Sequence, residues 1–338
     1  MKACAYTDLE TVEILELPQP ERADDEVLIK VSRAGICGTD LHIFMGHMDQ
    51  RVTKPIVMGH EMCGEIVDAP DGADFGVGDR VVVEPTVFCG RCAACRRGNT
   101  HICQNLNFLG IDSPGAFQAY WNVPLDRLHR IPPELNDDAA AMIEPLAVAV
   151  HDVRRAQVEL GDQAVVIGGG PIGLLVAHAA RLDGAEVVIS EVNPFRLNVA
   201  ESCGFKTVDP TRDDLVGYVD DWTNGAGCDL VFEVSGSAPG AKVMTELLRV
   251  RGKIALVGVH ASPPEVDLHR FFWRELELIG CRVYESVDFE RAIRIAAAGE
   301  IDLEALISKV VPYEEAYWGF EQMRDGGDIV KVLIDCQS

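Results

Sequence analysis

The sequence predicts an α/β chain of two domains, a β-rich one followed by a doubly wound, parallel, six-stranded sheet. Three observations carry that prediction. The length of 338 residues suits two hydrophobic cores better than one. The texture changes near residue 150, from short β-branched runs punctuated by Gly, Pro and Asp to buried strands alternating with amphipathic helices. A glycine-rich turn, Gly168-Gly-Gly170-Pro-Ile-Gly173, then follows an apolar strand and opens a helix.

Before residue 130 the strand candidates include Glu26-Val-Leu-Ile-Lys-Val31, Gly64-Glu-Ile-Val67 and Asp79-Arg-Val-Val-Val83. After residue 150 six strands are expected: Ala164 to Gly168, Glu186 to Ser190, Thr207 to Asp209, Asp229 to Val234, Lys253 to Val259 and Leu276 to Cys281. A helical segment, Phe289 to Ala298, and a closing strand, Ile329 to Ile334, are left over and are expected to return to the first domain. The division reads as 1–148 completed by 284–338, with 149–283 between them.

Charge excludes some functions. With 54 acidic against 30 basic residues, the net charge of −24 repels phosphate backbones and anionic lipid surfaces, so no nucleic acid and no membrane partner is expected. The start of the chain lacks a signal-peptide core, and its best apolar run, Ala164 to Ala177, is too short to span a bilayer. A cytoplasmic protein is expected, and its eleven cysteines then argue for metal or thiol chemistry rather than disulfides.

The turn at Gly168 has the form of a dinucleotide fingerprint. Gly168 permits the tight turn, Gly170 lets the backbone approach a pyrophosphate, and Gly173 allows close helix–strand packing. Pro171 and Ile172 begin the helix, whose N-terminus receives the phosphates. Glu191, 23 residues after Gly168, stands at the end of the second strand, where a carboxylate accepts hydrogen bonds from both ribose hydroxyls of NAD and repels a 2′-phosphate. Arg196 is placed to flank the adenosine.

Two metal sets follow. Cys89, Cys92, Cys95 and Cys103 lie within 15 positions in a turn-forming stretch, and four sulfurs can close a tetrahedral Zn²⁺ completely. By ligand type alone an iron–sulfur cluster is the alternative. Cys37 and the pair His60-Glu61 are dispersed at the ends of β-like runs. Three mixed ligands leave a fourth position open for water or an alcohol.

With these motifs, nearly the whole chain resembles the zinc-containing medium-chain dehydrogenase/reductase (alcohol dehydrogenase) family, in its sorbitol/polyol and threonine dehydrogenase branch. The resemblance implies a GroES-like catalytic domain interrupted by a Rossmann domain and completed by the last residues. It implies a catalytic zinc at Cys37, His60 and Glu61, a structural zinc at Cys89, Cys92, Cys95 and Cys103, and a homo-oligomer, either dimer or tetramer. Glu144 resembles the second carboxylate near zinc in polyol enzymes, which implies a place among the catalytic zinc's ligands, an N-cap before Pro145 being the other reading. Thr39 and His42 resemble the family's hydroxyl and imidazole proton relay, against a surface histidine. Where polyol enzymes carry an adjacent Arg-Tyr pair, this chain reads Arg282-Val283-Tyr284, which leaves the contact residue open.

The implied activity is hydride transfer from a secondary alcohol to NAD, giving a ketone, with two zinc ions per chain. A polyol, cyclitol or sugar-derived alcohol is the expected substrate, and L-threonine is the alternative. A non-catalytic NAD-binding protein of the same fold is the alternative of a different class.

Overall fold

Six parallel strands build one sheet in the order Lys206–Val208, Glu186–Ser190, Gln163–Ile167, Cys228–Glu233, Leu248–Leu256, Glu277–Gly280. The chain runs outward from Gln163–Ile167 on one side, then crosses to continue on the other. That order puts a switch point at the carboxyl end of Gln163–Ile167, where open α/β sheets receive ligands. Val165, Val188, Val231 and Ile254 lie in one registered row across four strands, and all are fully buried. Leu215, Val219, Met244 and Leu247 pack over that layer. Each such side chain contributes about 1.5–3 kcal/mol by leaving water.

The computed structural model describes residues 1–338. Met1–Glu144 with Glu285–Ser338 forms one unit, and Pro145–Tyr284 forms the other. The fifth strand of the parallel sheet differs from expectation at both ends. It begins at Leu248 because that buried leucine already pairs with Cys228, while Arg249 to Arg251 bend outward, exposed, with Arg251 at φ 59°. It stops at Leu256 because the Val257 and Gly258 N–H groups both donate to the Glu233 carbonyl, at 2.9 and 2.8 Å.

In the first unit Glu26–Gly35 is the central strand, pairing with Glu61–Asp68, Tyr120–Pro124 and Lys331–Asp335. The closing strand sets Leu333 opposite Gly35 and Ile334 opposite Ala34, so the chain's last residues complete the sheet begun by its first. Helix Ser286–Ala298 starts ahead of its apolar stripe because Asp288 accepts the Glu285 backbone N–H at 3.0 Å, which fixes the first turn. No helix is long and apolar enough to cross a membrane.

Candidate active site

Register brings the dispersed ligands together. Gly35 lies opposite Glu61 in the sheet. Two residues beyond Gly35, Cys37 caps helix Gly38–Phe44 and donates its backbone N–H to Asp40 at 2.9 Å. His60 immediately precedes strand Glu61–Asp68. The ligand atoms of Cys37, His60 and Glu61 all lie within 4.8 Å of one another, and the histidine and glutamate are buried. A side chain at Gly35 would collide with the Glu61 carboxylate and the Lys331 stem, so glycine there leaves both side chains in place.

The electrostatics of this set call for a cation. Burial alone would lower the His60 pKa, yet the charges of Asp40 and Cys37 outweigh it and raise the imidazole well above its usual value. Asp40 Oδ1 stands 3.6 Å from His60 Nδ1, a ring nitrogen with no hydrogen-bond partner in the protein. A metal ion seated among thiolate, imidazole and carboxylate satisfies the same charges, so the residues fit zinc.

Lys331, which the sequence reading did not single out, is 1% exposed and forms an ion pair with Glu61, itself 1% exposed. Its ammonium also donates to the Ile36 carbonyl at 2.9 Å. Burial works against the Lys331 charge, but Glu61, Cys37 and Glu144 hold its pKa above the ordinary lysine value. Glu144, buried in the first turn of helix Ile143–Ala156, acts electrostatically on both His60 and Lys331. The three atoms within 4.8 Å of one another are those of Cys37, His60 and Glu61.

Thr39 and His42 are three residues apart on helix Gly38–Phe44 and share its partly exposed face, while Asp40, Ile43 and Phe44 are buried. Arg282 is exposed and Tyr284 fully buried, separated by Val283 at φ 49°.

The cysteine lobe forms its own cluster. Sulfur separations are 3.4 Å for Cys92–Cys95, 3.8 Å for Cys92–Cys103 and 3.5 Å for Cys89–Cys103. A tetrahedron with bonds of about 2.3 Å has edges of about 3.8 Å, so one zinc ion fits with little adjustment. The Arg91 N–H, the Asn105 amide and the Cys92 N–H pull the Cys89 thiol down to about 6. Lost hydration and the Cys92 and Cys103 sulfurs push Cys95 up to about 12.

At the switch point Gly168 adopts φ 105°, and a side chain at Gly173 would collide with the Gly168 carbonyl oxygen. Gly170 caps helix Pro171–Leu182, with Pro171 and Ile172 in its first turn. The nearest side-chain atom to a Cβ placed on Gly170 would be Arg196 Nη1, 3.8 Å away. The Glu191 carboxylate accepts from the N–H groups of Gly169, Val192 and Asn193 at 2.7, 2.6 and 2.8 Å, which fixes it against the glycine turn.

The alcohol dehydrogenase GroES-like domain model matches residues 23–133, and the zinc-binding dehydrogenase model matches residues 171–298. The chain belongs to the zinc-containing medium-chain alcohol dehydrogenase family. Its relatives include the 2-dehydro-3-deoxy-L-galactonate 5-dehydrogenase of Pseudoalteromonas atlantica, 48% identical over 93% of this chain and 92% of that one. The sorbitol dehydrogenase of Halalkalibacterium halodurans is 34% identical over 95% and 94%. The crystal structure of 2R,3R-butanediol dehydrogenase from Bacillus subtilis superposes with a TM-score of 0.90 at 30% identity, covering 99% of both chains. This medium-chain dehydrogenase therefore pairs a GroES-like unit with a Rossmann sheet and is an NAD-linked, zinc-dependent oxidoreductase of small secondary alcohols.

Proposed function

We propose that this dehydrogenase oxidises a secondary hydroxyl of a sugar-derived substrate, a deoxy sugar acid or a polyol, at the site built from Cys37, His60 and Glu61. The observation that carries the reading is the convergence of those three ligand atoms beside a second buried carboxylate, Glu144. The likeness to a 2-dehydro-3-deoxy-L-galactonate 5-dehydrogenase supports a sugar acid in particular.

Zinc held there would lower the pKa of the substrate hydroxyl, and NAD held at Gly168 to Gly173 would accept the hydride. The protein groups do the rest. Asp40 holds the Cys37 backbone and faces the His60 ring. Lys331 offsets the charge of Glu61 so that two buried carboxylates coexist near one site. Glu144 accepts hydrogen bonds from a neighbouring substrate hydroxyl, which favours polyhydroxylated ligands over simple alcohols. Thr39 and His42 move the hydroxyl proton outward. Glu191 holds the ribose hydroxyls and disfavours NADP, and Arg196 flanks the adenosine. Cys89, Cys92, Cys95 and Cys103 hold a second, structural zinc.

Two further parts of the reading concern the whole molecule. None of the eleven cysteines is paired in a disulfide, which supports a reducing, cytoplasmic setting. Phe272 and Trp273 are 76% and 67% exposed on helix Leu268–Arg274, which leads into the edge strand Glu277–Gly280, and this exposure supports a homo-oligomer, dimer or tetramer.

The test is an NAD-reduction screen of 2-dehydro-3-deoxy sugar acids, polyols, cyclitols, L-threonine and simple secondary alcohols at matched concentration. Turnover concentrated in the sugar-derived set is the expected result. Efficient turnover of L-threonine alone would overturn the substrate class. Glu144→Gln should impair polyhydroxylated substrates far more than zinc content.

A further inference from the structure

His42 does not stand alone. Helix Gly38–Phe44 ends just past it, Gly46 turns the chain at φ 73°, and the His47 N–H donates back to the His42 carbonyl at 3.0 Å. The two imidazoles meet with Nδ1 atoms 3.1 Å apart, ring centroids 5.4 Å apart and planes tilted by 43°. Two Nδ1–H groups would collide at that distance and two bare lone pairs would repel, so one proton lies between the rings.

We propose that His47 is a positioning residue for His42: its Nδ1 accepts the His42 Nδ1–H and so keeps His42 Nε2 bare, as the proton acceptor of alcohol oxidation. The proposal rests on the dehydrogenase reading above, in which His42 takes the hydroxyl proton outward. The proton balance closes on one ring. A proton arriving at His42 Nε2 makes an imidazolium whose Nδ1–H is already bonded to His47, and the same Nε2 then releases a proton to water. His47 serves as the fixed acceptor that a buried carboxylate supplies in other acid–base sites, without adding a negative charge. Burial, the largest cause, holds the His42 pKa below the usual imidazole value, so the ring is neutral when a proton arrives.

Other charged groups on the packed elements are engaged elsewhere. Asp40 serves the Cys37 backbone and His60. Arg324, on helix Ala316–Arg324, pairs with Glu10, Glu321 and Asp325. On strand Lys2–Asp8, Asp8 pairs with Lys54, Tyr6 bonds Asp49, and Lys2 pairs with Glu314.

Two readouts test the proposal on the zinc-loaded protein. Nitrogen-15 NMR of the imidazoles, assigned with His42→Ala, should show His42 protonated at Nδ1 in the parent. His47→Phe should shift it to the commoner Nε2–H form, and His47→Asn, whose side-chain oxygen can occupy the Nδ1 place, should restore Nδ1–H. In kinetics with 2-dehydro-3-deoxy-L-galactonate and NAD, His47→Phe should lower kcat about tenfold on the acid side of the profile with KM within about twofold, a modest share of what acid–base catalysis supplies. His47→Asn should recover most of that loss. An unchanged His42 tautomer in His47→Phe overturns the proposal, as does a shifted tautomer with an unchanged pH–rate profile. Should the parent oxidise none of the screened alcohols, the dehydrogenase reading fails while the NMR result still decides whether His47 sets the tautomer.

Discussion

Replacing Lys331 with methionine keeps the aliphatic stem and removes one charge from a fully buried ion pair. Glu61 would remain 1% exposed with no ammonium beside it, and the Ile36 carbonyl would lose its donor. Removing one partner of a buried pair costs about 3–5 kcal/mol, because the charge left behind stays out of water. That is a large share of the roughly 5–15 kcal/mol that holds a domain together. Zinc at Cys37, His60 and Glu61 would meet part of the same negative charge, so Lys331→Met should cost more in chelator-treated protein than in zinc-loaded protein. Urea unfolding of both forms, followed by circular dichroism, measures the difference. Adding Glu61→Gln to Lys331→Met removes the stranded charge and should recover about 2 kcal/mol, within the range of coupled neighbours. Because the folded Lys331 pKa lies above 10.5, its contribution is fully present below that pH and is lost only as pH rises through the raised value. The penalty should therefore be flat across neutral pH. A metal-free cost below about 1 kcal/mol, or no recovery in the double variant, would refute the claim that Lys331 acts through Glu61.

Freshly purified protein should carry two zinc ions per chain by elemental analysis, one at Cys37, His60 and Glu61 and one at Cys89, Cys92, Cys95 and Cys103. Cys92→Ser should lower the unfolding midpoint, whereas Cys37→Ser should abolish turnover with the circular dichroism spectrum intact. Glu191→Ala should narrow the preference for NAD in kcat/KM, since the repelling carboxylate is gone; an unchanged ratio would assign discrimination elsewhere. Glu84 is buried, and although burial raises its pKa, His129, Ser286 and Arg127 hold it below 4.5. Its stabilisation is thus present above pH 4.5 and lost as pH falls through the lowered value, so Glu84→Gln should cost about 1–3 kcal/mol at neutral pH and flatten the acid limb of the stability curve.

The parts of the fold legible in the sequence are those whose physics is local. Strand Glu186–Ser190 has the bounds that its apolar run predicts, and helix Pro171–Leu182 starts where the Gly-Pro turn predicts. A fully buried parallel strand reads as an unbroken apolar run, and a proline in the first turn marks where a helix begins. Strand Leu248–Leu256 was legible only from Lys253, because Arg249, Val250 and Arg251 face solvent and break the run. The two-residue pairing of Thr86–Val87 with Asn107–Phe108 has no period to read at all.

The site divides along the same line. Four cysteines within 15 positions announce a tetrahedral centre because their geometry is set by a few turns of backbone. Lys331 is the opposite case, since its partner lies 270 positions earlier and only the antiparallel return of the closing strand brings them together. Its signal was present all the same: a single lysine inside Val330-Lys331-Val332-Leu333-Ile334, a run otherwise fit for burial. A charge in such a place survives only if paired, so the lysine required a buried carboxylate somewhere in the chain. Gly35 carries the complementary signal, because a strand position stripped of its side chain marks where something else must lie close. Taken together, the lone lysine and the bare glycine flanked the metal site from two strands, and Glu61, next to a zinc-type histidine, was the acid that satisfied both.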